Sequence, residues 1–94
     1  MSVSLHFNNM TVWITLKLYA TLGDYLPPGA RDNRVELEID ESDTVQQILE
    51  RHQLPAKLIH LVLVNGVFVP PGERPDRRLA PRDQLAVWPP IAGG

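Results

Sequence analysis

The chain predicts a two-layer α+β domain, with one helix packed on one face of a mixed sheet. Three observations point there. Apolar residues alternate with period two in several short stretches. The period switches to helical spacing once, mid-chain. Glycine and proline clusters separate these segments.

Thr11 to Tyr19 reads as the first strand. Val12, Ile14, Leu16 and Leu18 share one face, and Thr11, Trp13, Thr15, Lys17 and Tyr19 share the other. Gly23 to Gly29, with Pro27-Pro28, reads as a loop. Arg34 to Asp40 is the second strand, with Val35, Leu37 and Ile39 inward and Glu36 and Glu38 outward. Thr44-Val45-Gln46-Gln47 then has the form of a capping box. Val45, Ile48, Leu49 and His52 follow at helical spacing, so a helix is expected from Thr44 to about Gln53. Leu54-Pro55 stops it. Asp40, Glu41 and Asp43 stand near its positive end and Arg51 near its negative end, as the macrodipole favours.

Leu61 to Val64 is an apolar run, and Asn65-Gly66 turns it through a type I′ hairpin into Val67-Phe68-Val69. Pro70 to Pro75 is a loop. Gln84 to Trp88 is the last strand, with Leu85 and Val87 inward and Ala86 and Trp88 outward. The domain therefore spans residues 11–88, between an N-terminal extension (1–10) and a tail (89–94). Val3, Leu5 and Phe7 alternate enough to allow an edge strand in the extension.

Composition excludes several functions. A net charge of −2 gives no case for nucleic acid or an anionic membrane. No apolar stretch approaches the ~20 residues of a membrane span, and residues 1–10 lack the pattern of a secretory signal. With no cysteine, the chain has neither a disulfide framework nor a thiol nucleophile of its own. The expected compartment is the cytoplasm. His6, His52 and His60 have no metal-ligand spacing, and no metal is expected. Without a Gly-rich phosphate cradle, the chain is not expected to bind ATP itself. No serine sits in a nucleophile elbow. Glu36, Glu38 and Asp40 read as a solvated face rather than paired catalytic carboxylates. Arg74, Arg77, Arg78 and Arg82 read as a solvated loop or a surface for an acidic partner.

The most informative segment is Trp88-Pro89-Pro90-Ile91-Ala92-Gly93-Gly94. Two glycines at a terminus favour a mobile tail, which is a poor structural device. Without Cβ atoms, however, such a tail can enter a narrow channel and present its carboxylate to an enzyme. Pro89-Pro90 fixes two φ angles and directs the tail off the last strand. From Pro89 onward it could reach roughly 20 Å at about 3.3 Å per residue. Chance alone gives a terminal Gly-Gly in roughly 0.5% of chains, so the tail by itself leaves a functional and an incidental reading open.

A leading hairpin, one helix, an Asn-Gly turn and a final strand running into Pro-Pro-x-x-Gly-Gly resemble the ubiquitin-like β-grasp sulfur carriers, the MoaD/ThiS family. The resemblance covers Val12 to Gly94. Leu16-Lys17-Leu18-Tyr19-Ala20, Thr44-Val45 and Val64-Asn65-Gly66 carry it weakly, and Leu85 to Gly94 carries it strongly. The Pro-Pro pair is more similar to the small subunit of molybdopterin synthase than to the thiamine carrier. Arg82-Asp83 departs from the family's usual Gly-Asp, which puts the turn before the last strand in question.

The resemblance implies a β-grasp fold and a carrier rather than an enzyme. A ThiF/MoeB-like partner, using ATP, would adenylate the Gly94 carboxylate, and sulfur would replace AMP to leave a thiocarboxylate. The molybdopterin synthase large subunit, or thiazole synthase, would then take the sulfur. It further implies chemistry at Gly94 and Gly93, with partner contacts at Tyr19, Phe68, Trp88, Pro89, Pro90, Ile91 and Ala92. Strand parity groups Tyr19, Phe68 and Trp88, with Trp13, away from the helix. Such grouping suits a docking surface or simple cross-strand pairing. Two further readings stand beside the carrier: a ubiquitin-like modifier conjugated through Gly94, and a β-grasp binding module whose tail is incidental.

Overall fold

Strands β1 (Thr11–Leu18) and β2 (Arg34–Asp40) pair antiparallel in the computed structural model, which describes residues 10–91. Expectations for Val3, Leu5 and Phe7, and for Ala92, Gly93, Gly94 and the tail's mobility, fall outside the described residues. After the helix α1 (Val45–Arg51) come β3 (Leu61–Val64), β4 (Val67–Phe68) and β5 (Gln84–Trp88). They form one sheet in the order β2-β1-β5-β3-β4. Only the central β1–β5 pair is parallel. This mixed sheet with one main helix is the expected β-grasp architecture.

The core lies on the α1 side. Ile14, Leu16 and Leu18 of β1 are buried there with Leu85 and Val87 of β5 and with Val45, Ile48 and Leu49 of α1. Leu16 pairs with Val35 on one side and Leu85 on the other, so the expected inward register is the observed one. Toward the free β2 edge, Val12 of β1 and Val35 and Leu37 of β2 are half-buried against the core. Ile39 of β2, with Leu22, Leu54, Val62, Val64, Val69 and Leu79, completes it.

Local chemistry explains the elements. In the capping box, Thr44 Oγ1 accepts the Gln47 N–H at 3.2 Å while Gln47 Oε1 accepts the Thr44 N–H at 2.9 Å. The helix is shorter than its spacing suggested, with His52 as C-cap rather than Gln53 as last residue. Gln53 turns left-handed (φ 61°), its N–H reaching the Glu50 carbonyl and the Leu54 N–H the Leu49 carbonyl. That is a Schellman closure with glutamine where glycine is usual. The Asn65-Gly66 turn has both φ values positive, 51° and 83°, as type I′ requires.

Two sequence readings, of the loop after β1 and of Arg74, need correction. A 3₁₀ segment, Ala20–Tyr25, fills the stretch after β1 and takes in the start of the expected loop, Gly23 to Tyr25, with Leu22 fully buried and pulling the chain inward. The β1–β2 connection ends in a two-residue turn at Asp32-Asn33, both left-handed, across which Arg31 and Arg34 exchange backbone hydrogen bonds. Arg74 is neither solvated nor offered to a partner. It is buried, and its Nε donates to the Val69 carbonyl at 3.1 Å. Burial alone lowers its pKa.

The turn into β5 resolves the Arg82-Asp83 departure. Asp83 is buried and accepts the Ala80 N–H and Asn65 Nδ2, each at 2.8 Å. Asn65 Oδ1 accepts the Gln84 N–H at 2.8 Å, so the hairpin turn and the start of β5 are tied together. Arg82 holds the left-handed geometry that glycine favours, at φ 70°. Arg82→Gly should therefore stabilise the domain by about 0.5–1 kcal/mol. Thermal unfolding should show a midpoint roughly 2–8 °C higher; an equal or lower midpoint would show that the turn holds no relievable strain.

Arg51 stands in the last turn of α1 as expected, and it also pairs with Asp43 across the helix. The guanidinium binds both carboxylate oxygens, at 2.9 and 3.0 Å, and Asp43 also accepts the Asp40 N–H. The Arg51 hydrogen bonds hold the buried carboxyl of Asp43 below its ordinary value, against the opposing effect of burial. A depressed carboxyl pKa adds stability above its unfolded value, and that increment is lost as pH falls through the folded value. Wild-type protein should thus lose its advantage over Asp43→Asn below about pH 4. Urea unfolding at pH 6 and pH 2 checks this, and a constant difference would rule it out.

Candidate functional site

Side chains alternate along a strand, so the register that buries Leu18 and Val87 turns their neighbours to the uncovered face. Leu18 pairs with Val87 across the parallel seam, which sets Tyr19 beside Trp88. Their rings stack with centroids 4.4 Å apart and planes 9° from parallel. Leu61 pairs with Trp88, Leu63 with Ala86, and Phe68 with Leu63. Tyr19, Trp88, Leu61, Leu63, Ala86 and Phe68 therefore share one end of the open face. Phe68 is the most exposed of the three aromatics, at 51%. Lys17 borders the patch, its Nζ bound to Gln84 Oε1 at 2.8 Å.

The tail begins here. The Tyr19 N–H donates to the Val87 carbonyl at 3.1 Å, and the His60 N–H to the Trp88 carbonyl at 2.9 Å. Neither Pro89 nor Pro90 has an N–H to extend the ladder, so the strand ends at Trp88. Exposure then climbs from buried Val87 through half-buried Trp88 and Pro89 to Pro90 and Ile91, the last 81% exposed.

Parity correctly placed Tyr19, Phe68 and Trp88 on one face. It also placed Trp13 there, but at the other end of β1, six residues and about 20 Å from Tyr19. Trp13 lines a separate shallow groove with Thr15, Glu36, Arg82 and Gln84. Sequence reasoning missed Leu61 and Leu63 as the patch's aliphatic floor. The signal was present: a two-residue Asn65-Gly66 turn forces Leu63 opposite Phe68.

The described residues contain no cluster of three or more potential metal ligands. His52 is half-buried at the helix end, and burial, with Arg51 nearby, lowers its pKa. His60 is exposed, and His6 lies outside the described residues. No helix among the described residues is long and apolar enough to cross a membrane.

The model of the ThiS family matches residues 18–94, which takes in β1's end, the whole patch and the Gly-Gly. The chain belongs to the ThiS family. A comparison with curated proteins gave no match. Among solved structures, the Haloferax volcanii HVO 2177 protein superposes with a TM-score of 0.69 at 26% identity, over 89% of this chain and 88% of that one. SAMP1 of Haloferax volcanii gives 0.60 at 23% identity, over 87% and 99%. A Pyrococcus furiosus protein assigned as molybdopterin converting factor subunit 1 gives 0.61 at 20%, over 85% and 99%. The last two likenesses establish the shared β-grasp fold.

In this ThiS-family chain the Tyr19–Trp88 stack should be energetically real. A double-mutant cycle with Tyr19→Ala and Trp88→Ala, read by denaturant unfolding, should give a coupling of about 0.5–1.5 kcal/mol. Strictly additive losses would mean that the rings lie together without supporting each other.

Proposed function

We propose that this chain is a sulfur carrier whose tail is the reacting group. The observation that supports it best is the apolar, aromatic patch standing at the point where the chain leaves the sheet. A partner seated on this patch through the exposed Phe68 has the residues after Trp88, Pro89 to Ala92, directed into its own active site. In this reading an adenylating enzyme of the ThiF/MoeB type binds ATP, and the Gly94 carboxylate attacks the α-phosphate and releases pyrophosphate. A persulfide sulfur on a partner displaces AMP from the acyl carbon to give an acyl disulfide, and a second partner thiol attacks the partner-side sulfur, forming a disulfide there and leaving a thiocarboxylate on Gly94. Gly93 keeps the approach free of side chains. The chain is a co-substrate in the cytoplasm, and the acids, bases and nucleotide site belong to its partners.

Within this reading the sulfur goes to a pterin precursor, with the molybdopterin synthase large subunit as acceptor partner. The Pro89-Pro90 pair and the likeness to the Pyrococcus furiosus protein favour that route over thiazole synthase. A second reading, a protein modifier joined through Gly94 to lysines, is favoured by the likeness to SAMP1, named a small archaeal modifier protein.

Incubation with the cognate adenylating enzyme, ATP and a sulfur source, followed by intact-mass measurement, tests both readings. The carrier gains one sulfur for one oxygen, whereas the modifier appears as adducts on other proteins' lysines. Deleting Gly94 should abolish the change, because the carboxylate then falls about 3.5 Å short. Phe68→Ala should weaken the enzyme complex by roughly 1–3 kcal/mol while leaving the fold intact. A deletion variant that is fully thiocarboxylated, or a wild-type chain that never is, would remove the carrier reading.

A further inference from the structure

The three aromatics of the patch are not equivalent. Phe68 is exposed on the edge strand β4, and Tyr19–Trp88 is the one stacked aromatic pair among the described residues. Tyr19 and Trp88 are both half-buried, each against the other. The backbone is pinned at the same place, with the Val87 and Trp88 carbonyls taken by the Tyr19 and His60 N–H groups. Past this point the described chain, through Ile91, lies outside every strand. Trp88 is thus the last anchored residue before the tail.

We infer that Tyr19 is a positioning residue that aims the tail, acting through the Trp88 ring, while Phe68 is a contact residue that holds the partner. This rests on the carrier reading above. The argument is one of leverage. Trp88 precedes a proline, which confines its backbone to extended conformations, and Pro89-Pro90 continues as a stiff rod of about 3.1 Å per residue. Angular freedom at the base is therefore carried along this rod, and along the rest of the tail when a channel holds it extended. For a tail drawn out to roughly 20 Å, a tilt of about 10° at Trp88 moves the terminal carbon by roughly 3 Å. Misplacement of a reacting group by about 1 Å can cost on the order of 100-fold in rate. Flat stacking on Tyr19 restricts this tilt from the side, and the His60 hydrogen bond restricts it from the other neighbouring strand.

The two roles separate in kinetics. With the cognate adenylating enzyme and ATP, pyrophosphate release is followed against carrier concentration. Tyr19→Ala should lower kcat on the order of tenfold or more with KM little changed, and Tyr19→Phe, which keeps the stacking face, should restore it. Tyr19→Leu keeps apolar bulk without that face. It should behave like alanine, and it serves where the alanine variant does not fold. Phe68→Ala should raise KM with kcat preserved. Independently of any enzyme, amide hydrogen exchange at His60 should accelerate in Tyr19→Ala and Tyr19→Leu but not in Tyr19→Phe or Phe68→Ala. A Tyr19 variant that changes KM alone, or that leaves both kcat and His60 exchange at wild-type values, overturns the positioning role. A wild-type chain that its enzyme never adenylates instead defeats the carrier reading, and the exchange measurement then still decides whether Tyr19 holds the tail's base.

Discussion

The parallel pairing of β1 with β5 is the constraint on which the rest of the molecule depends. It joins segments from opposite ends of the sequence at the centre of the sheet, with Leu16 against Leu85 and Leu18 against Val87. All four side chains are fully buried. Because side chains alternate, the reverse of that pairing is fixed as well, and Tyr19 must stand beside Trp88. A slip of one residue would turn Val87 to solvent and drive Trp88 into the core. The patch and the core are therefore two faces of one register, and the energy that holds the fold also holds the site.

Polar interactions secure this pairing at its ends. The Asn65–Asp83–Gln84 network fixes where β5 begins and couples it to the β3–β4 turn. The Asn33 side chain donates to the Leu18 carbonyl, just where β1 stops. Asp43 and Arg51 brace α1 over the buried face. No buried side-chain nitrogen or oxygen among the described residues lacks a hydrogen-bond partner. A domain this small has little margin for buried polar groups without partners.

What could be read from the sequence was local. β1, β2 and β5 followed from period two, β3 from an apolar run, the helix start from Thr44 and Gln47, and the hairpin from Asn65-Gly66. The face of each aromatic followed from parity. What escaped depended on residues that meet only after folding. Arg74 looked like one of four loop arginines because its acceptor, the Val69 carbonyl, has no signature in sequence. Trp13 was grouped with Tyr19 because parity gives the face of a strand and not the position along it. The Asn65-Gly66 turn sufficed to set Leu63 opposite Phe68, but the pairing of Leu61 with Trp88 and of Leu63 with Ala86 needed the strand order. The glycines that carry the proposed chemistry were legible as residues, yet their use depends on a partner's active site rather than on this fold.

The position of β5 between two neighbours bears on how the molecule responds to traction. β1 and β5 run the same way, so the start of β1 and the exit of β5 lie at opposite ends of the seam. A pull on the tail, resisted at the other terminus, is directed along the strands. Hydrogen bonds on such a seam are loaded together in shear, and they cannot open one at a time like a zipper. On the carrier reading, a partner that drew the tail taut through a tight channel would leave the body to which it is attached folded.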